Sequence, residues 1–352
     1  MNYPYVTEFR QSLVDWFNAE KRDLPWRHTT DPYKIWVSEV MLQQTRVDTV
    51  IPYYNRFMES FPTLDLLAEA PQEYLLKHWE GLGYYSRARN LQAGAREVLD
   101  NYGGVVPDNR HEISKLKGVG PYTAGAILSI AYNKPEHAVD GNVMRVLSRV
   151  LDIHDDIALP KTKKVFEVAV EELIDPDNPS SFNQGLMELG ALICTPTSPK
   201  CLLCPVREYC TAFNEGEPEK LPVKSKKLKM KHLTYDVVIF EDENGRFLMQ
   251  QRPEEGLLAN LWQFPMIDPN DTSVENFTKE YTIHVQAKQE LLTFKHVFSH
   301  LTWHINSYYM KCESASMGDW LTREQIELLP MPVPMLKIWE EIKSKSQENK
   351  SY

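Results

Sequence analysis

No stretch of this 352-residue chain is apolar for long enough to cross a bilayer. The charged and apolar zones of a targeting peptide are missing from its first residues. Positive charge is scarce, with 39 Lys and Arg against 49 Asp and Glu, a net charge of −10. That balance excludes a protein that coats nucleic acid indiscriminately, but it leaves room for a local basic face. Residues 214–232 run against the trend, with six Lys and three Glu. Cysteine is rare too, five in all, which excludes a disulfide-dense secreted scaffold. No internal repeat is present.

The little cysteine there is lies together. Cys194, Cys201, Cys204 and Cys210 are separated by six, two and five residues, with Pro196, Pro199 and Pro205 between them. Four thiolates from one short run suit a 4Fe–4S cluster. Zinc is the alternative, but zinc sites more often use two matched Cys-x-x-Cys pairs, and one is present here. Disulfides would need an oxidising compartment; cluster thiolates point to a reducing cytoplasm. Cys312 stands apart and reads as a buried thiol.

Two halves of different pattern follow from periodicity. Up to residue 213, apolar residues recur at three and four, as at Ile127, Leu128 and Ala131, so this half reads as all helical. Residues 214–232 read as a polar, lysine-rich linker with Pro218 and Pro222. Beyond it, 235–240 and 247–251 flank Glu243-Asn-Gly245, a hairpin signal, and 303–310 is another strand. With helical stretches in 322–345, the second half (233–345, before a short tail at 346–352) is α+β.

Leu116-Lys-Gly-Val-Gly-Pro-Tyr-Thr-Ala124 precedes an apolar helix read at 125–131. Gly118 and Gly120, on either side of Val119, permit a tight turn whose N–H groups can bind a phosphate without a charged side chain. An ordinary helix–helix turn is the plainer reading of that run alone. Taken with Val139-Asp-Gly-Asn142, the cysteine run and Glu39-Val-Met-Leu-Gln-Gln-Thr45, however, the chain resembles the endonuclease III superfamily of helix–hairpin–helix DNA glycosylases. Within it, the chain is most similar to the MutY adenine DNA glycosylases, from Trp26 to Phe298-Ser-His300.

The resemblance implies base excision: hydrolysis of the N-glycosidic bond of adenine opposite 8-oxoguanine or guanine in duplex DNA; a monomer is expected. Bifunctional relatives carry a lysine where this chain has Tyr122, and tyrosine cannot form a Schiff base, so the backbone should stay intact. Breaking the bond calls for a proton on the base and a negative charge near the sugar cation. Glu39 shares a helix face with Ile35, Trp36 and Leu42, where desolvation would raise its pKa as a general acid requires. Asp140 precedes a helix at 143–150; a helix cap is its ordinary role, and the resemblance adds stabilisation of the sugar cation. Asn142 and Tyr122 are expected to orient the groups around it.

Adenine must be flipped from the duplex. Gln44 and Thr45 match residues that reach the orphaned base, and Leu82-Gly-Tyr84 resembles the family's wedge, unless Tyr84 and Tyr85 are simply core aromatics. Leu24, Trp26, Arg27, Val47 and Gln184 match the adenine pocket. In the second half, Gly256 to Pro265 resembles a Nudix hydrolase segment, but no array of magnesium-binding glutamates follows it. That domain should therefore recognise a modified guanine rather than hydrolyse a nucleotide; the resemblance implies that Phe298, Ser299 and His300 sense 8-oxoguanine, a polar turn between strands being the plainer reading of those three residues.

Overall fold

The computed structural model describes residues 3–225, 230–313 and 318–348, with side chains as far as 345. In chain order the helices are α1 (Val6–Glu20), α2 (Pro32–Leu42), α3 (Val47–Ser60), α4 (Leu64–Glu69), α5 (Gln72–Trp79), α6 (Ser86–Tyr102), α7 (Arg110–Ile113), α8 (Pro121–Ile130), α9 (Gly141–Leu151), α10 (Thr162–Leu173), α11 (Pro179–Leu192) and α12 (Thr211–Asn214), followed by α13 (Val274–Glu280), α14 (Arg323–Leu328) and α15 (Val333–Glu348). The chain divides into two compact units, Met1–Glu69 with Asn90–Lys226, and Ala70–Arg89 with Lys227–Tyr352.

The first unit is helical. α11 packs against α1, α8 and α9. α9 shows why: Val143, Val146, Leu147 and Val150 repeat at helical spacing and are all buried in a core shared with Phe9, Leu13, Phe182 and Leu186. Two glycines set the approach distances. A Cβ on Gly190 would stand 2.7 Å from the Asn142 Cβ, so α9 lies against α11 because position 190 has no side chain. A Cβ on Gly125 would stand 1.6 Å from the His137 carbonyl oxygen, so the segment leading to Asp140 runs directly over α8.

α8 begins at Pro121, four residues before the apolar run that announced it. Proline at the first position supplies the helical φ and loses no bond there, and this start puts Tyr122 in the first turn. The stretch expected to link the halves lies on the helical unit as far as Ser225. Arg149 donates to the Leu221 carbonyl, Ile157 N–H to the Val223 carbonyl and Ser225 N–H to Asp156. Residues 226–229 of the expected linker fall outside the described residues.

The second unit is built on a sheet. Its strands are β1 (Lys231–Glu241), β2 (Phe247–Gln251), β3 (Trp262–Gln263), β4 (Met266–Ile267), β5 (Val285–Val297), β6 (Leu301–Cys312) and β7 (Asp319–Leu321). The order is β3-β2-β1-β6-β5, with β4 beside β1 and β7 beside β2; β1 and β6 are parallel. The expected hairpin at Gly245, with φ +72°, joins β1 to β2. Alternation along β1 sends Val237 and Ile239 to a core with Trp339 and Ile338 of α15, and Val238 and Phe240 to one with Val274 and Phe277 of α13. Cys312 is buried, as read.

Candidate active site

Asp31 caps α2 by accepting from Tyr33 N–H, and Pro32 starts the helix. α2 is buried over most of its length, so Glu39 ends up 5% exposed. Tyr122, in the first turn of α8, donates its hydroxyl to Glu39 Oε2 at 2.5 Å. Burial pushes the Glu39 carboxyl up to about 7; the tyrosine bond pulls the other way and the nearby Asp140 charge adds to the rise. Burial and the two carboxylates together hold the Tyr122 hydroxyl far above its usual range, so it remains a donor.

Asp140 is the N-cap of α9, accepting from Val143 N–H at 2.7 Å. Burial raises its pKa, while that N–H and the Asn142 side chain, at 3.3 Å, favour the carboxylate. Asn142 is itself held: its Oδ1 accepts from Arg145 Nη2 at 2.8 Å, and the same nitrogen donates to the Gly190 carbonyl at 2.7 Å. Arg145 Nε donates to the Cys194 carbonyl at 2.8 Å. A continuous hydrogen-bonded path thus runs from the cysteine loop to the Asp140 carboxylate.

One groove of about 1210 Å³ collects most of the residues singled out from sequence. Glu39, Tyr122, Asp140 and Asn142 line it, with Leu24, Trp26, Arg27, Val47 and Gln184, and Gln44, Thr45, Gly118 and Gly120 as well. Val119 does not line it and is buried. Gln44 has φ +56°, turning the chain just past α2. Gly120 has nothing within 4 Å of where a Cβ would be, so backbone there is open to a close approach. Leu82, Tyr84, Phe298, Ser299 and His300 belong to the other unit. Tyr84 and Tyr85 part company: Tyr84 is 44% exposed and Tyr85 is buried. Phe298 packs on Trp303 in the turn between β5 and β6, and Ser299 Oγ lies 3.2 Å from His300 Nδ1, both exposed.

Sequence reasoning passed over Glu188. It takes bidentate bonds from both Arg22 and Arg27, at 2.8 to 2.9 Å. Burial opposes its ionisation, but these bonds win and hold it down to about 2. The signal available was spacing: Gln184 and Glu188 stand one helical turn apart on α11. Arg27 lines the groove, and its Nε is buried with no hydrogen-bond partner among the described residues.

The four cysteines line one pocket with Val146, Leu189, Ile193, Val206 and Phe213, and none is in a disulfide. Burial pushes the Cys204 thiol up to about 12 and Cys210 to about 11, and the neighbouring thiols add to it. Positive charge nearby counters that burial. Part is built in: buried Arg149 donates to Cys194 Sγ at 3.2 Å and to the Thr195 and Pro196 carbonyls. Among the described residues no three ligating side chains crowd closely enough to grip a single ion. The four cysteines that line this one pocket are the residues that would hold an iron–sulfur centre.

Known proteins resemble this arrangement throughout. A profile of HhH-GPD superfamily base excision DNA repair proteins matches residues 37–176, the iron-sulfur binding domain of endonuclease III matches 194–210, and a NUDIX domain matches 236–341. The adenine DNA glycosylase of Rattus norvegicus is 35% identical, the match covering 95% of this chain and 78% of the relative. The chain belongs to the adenine DNA glycosylases. The Buchnera aphidicola (subsp. Baizongia pistaciae) glycosylase is 34% identical over 95% of this chain and 97% of its own. That of Arabidopsis thaliana is 38% identical over 84% of this chain, which spans only 55% of the plant protein. Among solved structures, a thermostable thymine-DNA glycosylase superposes with a TM-score of 0.55 at 32% identity, covering 60% of this chain and 97% of that one. A trapped endonuclease III–DNA covalent intermediate gives 0.53 at 25% identity, covering 61% and 99%. The glycosylase is therefore a base excision repair enzyme with an iron-sulfur motif in its helical domain and a Nudix-like domain added. No helix among its described residues is long and apolar enough to cross a membrane.

Proposed function

We propose that this glycosylase hydrolyses the N-glycosidic bond of adenine paired with 8-oxoguanine or guanine in duplex DNA and leaves the strand intact. The observation that carries the reading is Glu39, a carboxyl pushed up to about 7 beside Tyr122 and Asp140. A large share of it is protonated at neutral pH, and it gives that proton to adenine N7 as the bond to the sugar breaks. The bonding pair leaves with the base. The sugar is left cationic, and Asp140, kept in place by Val143 N–H and Asn142, faces it with negative charge until water adds. Asn142 and Arg145 are positioning residues for that carboxylate.

Leu24, Trp26, Arg27, Val47 and Gln184, which line the groove together, form the adenine pocket. Gln44 and Thr45 serve the orphaned partner, Tyr84 is the wedge, and Phe298, Ser299 and His300 read the altered guanine edge. The cysteines would hold one 4Fe–4S cluster, whose positive irons would favour their thiolates; its part here is to fold the loop. The protein works as a monomer in a reducing cytoplasm.

The test is base release from 8-oxoguanine:adenine duplexes, with borohydride added. Adenine should be freed, strand breaks should need alkali, and no enzyme–DNA adduct should be trapped. Release of thymine from mismatches instead, or strand cleavage in step with base loss, overturns the reading.

A further inference from the structure

The turn that carries Tyr84 is strained. Gly81 and Gly83 have φ of +95° and +73°, and Tyr84 itself has φ +46°, a conformation bulky residues avoid. Local bonds hold part of it: Arg87 Nη2 donates to the Leu82 and Gly83 carbonyls at 3.3 and 3.0 Å, and Trp79 Nε1 to the Gly83 carbonyl at 3.2 Å. Strain of this kind persists only where the surroundings over-determine it.

Those surroundings come from the C-terminal domain. Before the turn, Gln72 accepts from Asn260 Nδ2 at 2.8 Å and Glu73 from Trp262 Nε1 at 2.7 Å. Lys77 Nζ donates to the Leu329 carbonyl, and Glu80 Oε2 accepts from Met331 N–H, both at 3.1 Å. After the turn, Arg89 Nη1 donates to the Ala259 carbonyl at 2.9 Å. Buried Tyr85 reaches both ways, accepting from Gly81 N–H and donating to the Met331 carbonyl. The two receiving loops are tied together by Trp262 N–H and the Pro330 carbonyl at 2.9 Å. The turn is therefore bracketed on both sides by two loops bonded to each other, while Tyr84 stays exposed.

We propose that the Nudix-like domain has a second job, holding the Tyr84 turn in shape for strand separation, with Glu80 and Trp262 as positioning residues. The proposal rests on Tyr84 being the wedge. Unstacking a base step costs a few kcal/mol, and a loop that had to order itself at the same moment would add to that cost. A turn fixed in advance presents the ring ready to insert. This contribution does not depend on which guanine lies opposite, unlike that of residues 298–300.

The experiment uses the full-length protein and single-turnover excision on 8-oxoguanine:adenine and guanine:adenine duplexes. Extrusion is followed separately by the fluorescence of 2-aminopurine in place of the adenine. The variants are Tyr84→Ala, Glu80→Gln, Trp262→Phe, and each of the latter two with Tyr84→Ala. Glu80→Gln and Trp262→Phe should each slow excision by about fivefold, equally on both duplexes, the loss one or two weakened bonds produce. Extrusion should slow with it. In the Tyr84→Ala background neither should slow it further, because the ring they position is gone. A slowing that persists in that background, or that falls on one duplex alone, overturns the proposal, as does a normal rate in both single variants. A normal rate for Tyr84→Ala overturns the wedge reading and the proposal with it. Failure of the unaltered protein to release adenine instead defeats the function proposed above.

Discussion

Glu39 and Glu188 are two buried glutamates at the wall of one groove with opposite fates. Glu188 has two guanidiniums on it and is an anion under all ordinary conditions. Glu39 has a tyrosine hydroxyl and a neighbouring carboxylate, and keeps its proton to about pH 7. Two consequences follow for Glu39→Gln. Excision should fall by on the order of a thousandfold or more, with duplex binding retained, as the loss of an essential acid requires. In the unaltered enzyme the excision rate should fall as pH rises through about 7, where Glu39 loses its proton, and fall again on the acid side as Asp140 gains one. A rate flat from pH 6 to 9 would mean that another group protonates adenine. The stability effect has the opposite direction. The folded pKa lies above the unfolded value of 4.5, so the fold favours the protonated form. Stability from this group is complete below 4.5 and is lost as pH rises through 7. Glu39→Gln, which cannot ionise, should therefore melt higher than the parent at pH 8, by up to about 3 kcal/mol in unfolding free energy. Melting curves at pH 4 and pH 8 check this; the advantage should all but vanish at pH 4, below the unfolded value.

At the scale of elements, the site depends on how α9 meets α11. Gly190→Ala puts a methyl group 2.7 Å from the Asn142 Cβ, and neither helix can yield without repacking Leu186, Leu189 and Val143. A cost of about 1–3 kcal/mol in stability is expected. Because Asn142 holds Asp140, excision should fall more than the melting point alone accounts for. The comparison is the single-turnover rate at a temperature well below both transitions. The cysteine loop is the second such element. Arg149 ties it to α9 and to the strap at Leu221, and Arg145 ties it to Asn142. Cys201→Ala should lose iron and DNA binding before any loss of chemistry, read as iron per chain beside duplex affinity. A colourless, fully active protein holding one zinc would refute the cluster.

At the scale of the molecule, chain order and spatial grouping differ. The segment 70–89 belongs by sequence to the helical half and by contacts to the C-terminal unit. Truncation after residue 232 should therefore do two things. It should abolish the preference for 8-oxoguanine over guanine, because Ser299 and His300 are gone. It should also slow both substrates, because the Tyr84 turn loses its anchors at Met331 and Ala259. Ser299→Ala with His300→Ala should reproduce part of the first effect and none of the second. The ratio of excision rates on the two mismatches, and their absolute values, separate the two. An unchanged ratio in the truncated protein would move recognition wholly into the helical half.

What could be read from sequence alone was local chemistry at short range. The cysteine spacing, the Asp140 cap and the Gly245 hairpin each depend on a few neighbouring residues, and periodicity separated the helical half from the sheet. Physical reasoning placed the α8 start late because an apolar run marks what is buried, whereas a helix begins where proline and backbone geometry allow. Tertiary structure decided the rest. That Glu39 meets Tyr122, that Glu188 clamps Arg22 and Arg27, and that Arg145 joins the cysteine loop to Asn142 are contacts between residues 49 to 166 positions apart. No local pattern encodes them, because they follow from which helices pack and how closely their glycines let them come. The pKa of Glu39 is of the same kind: its spacing gave the direction, but only burial beneath α8 and the nearness of Asp140 set how far its proton is held.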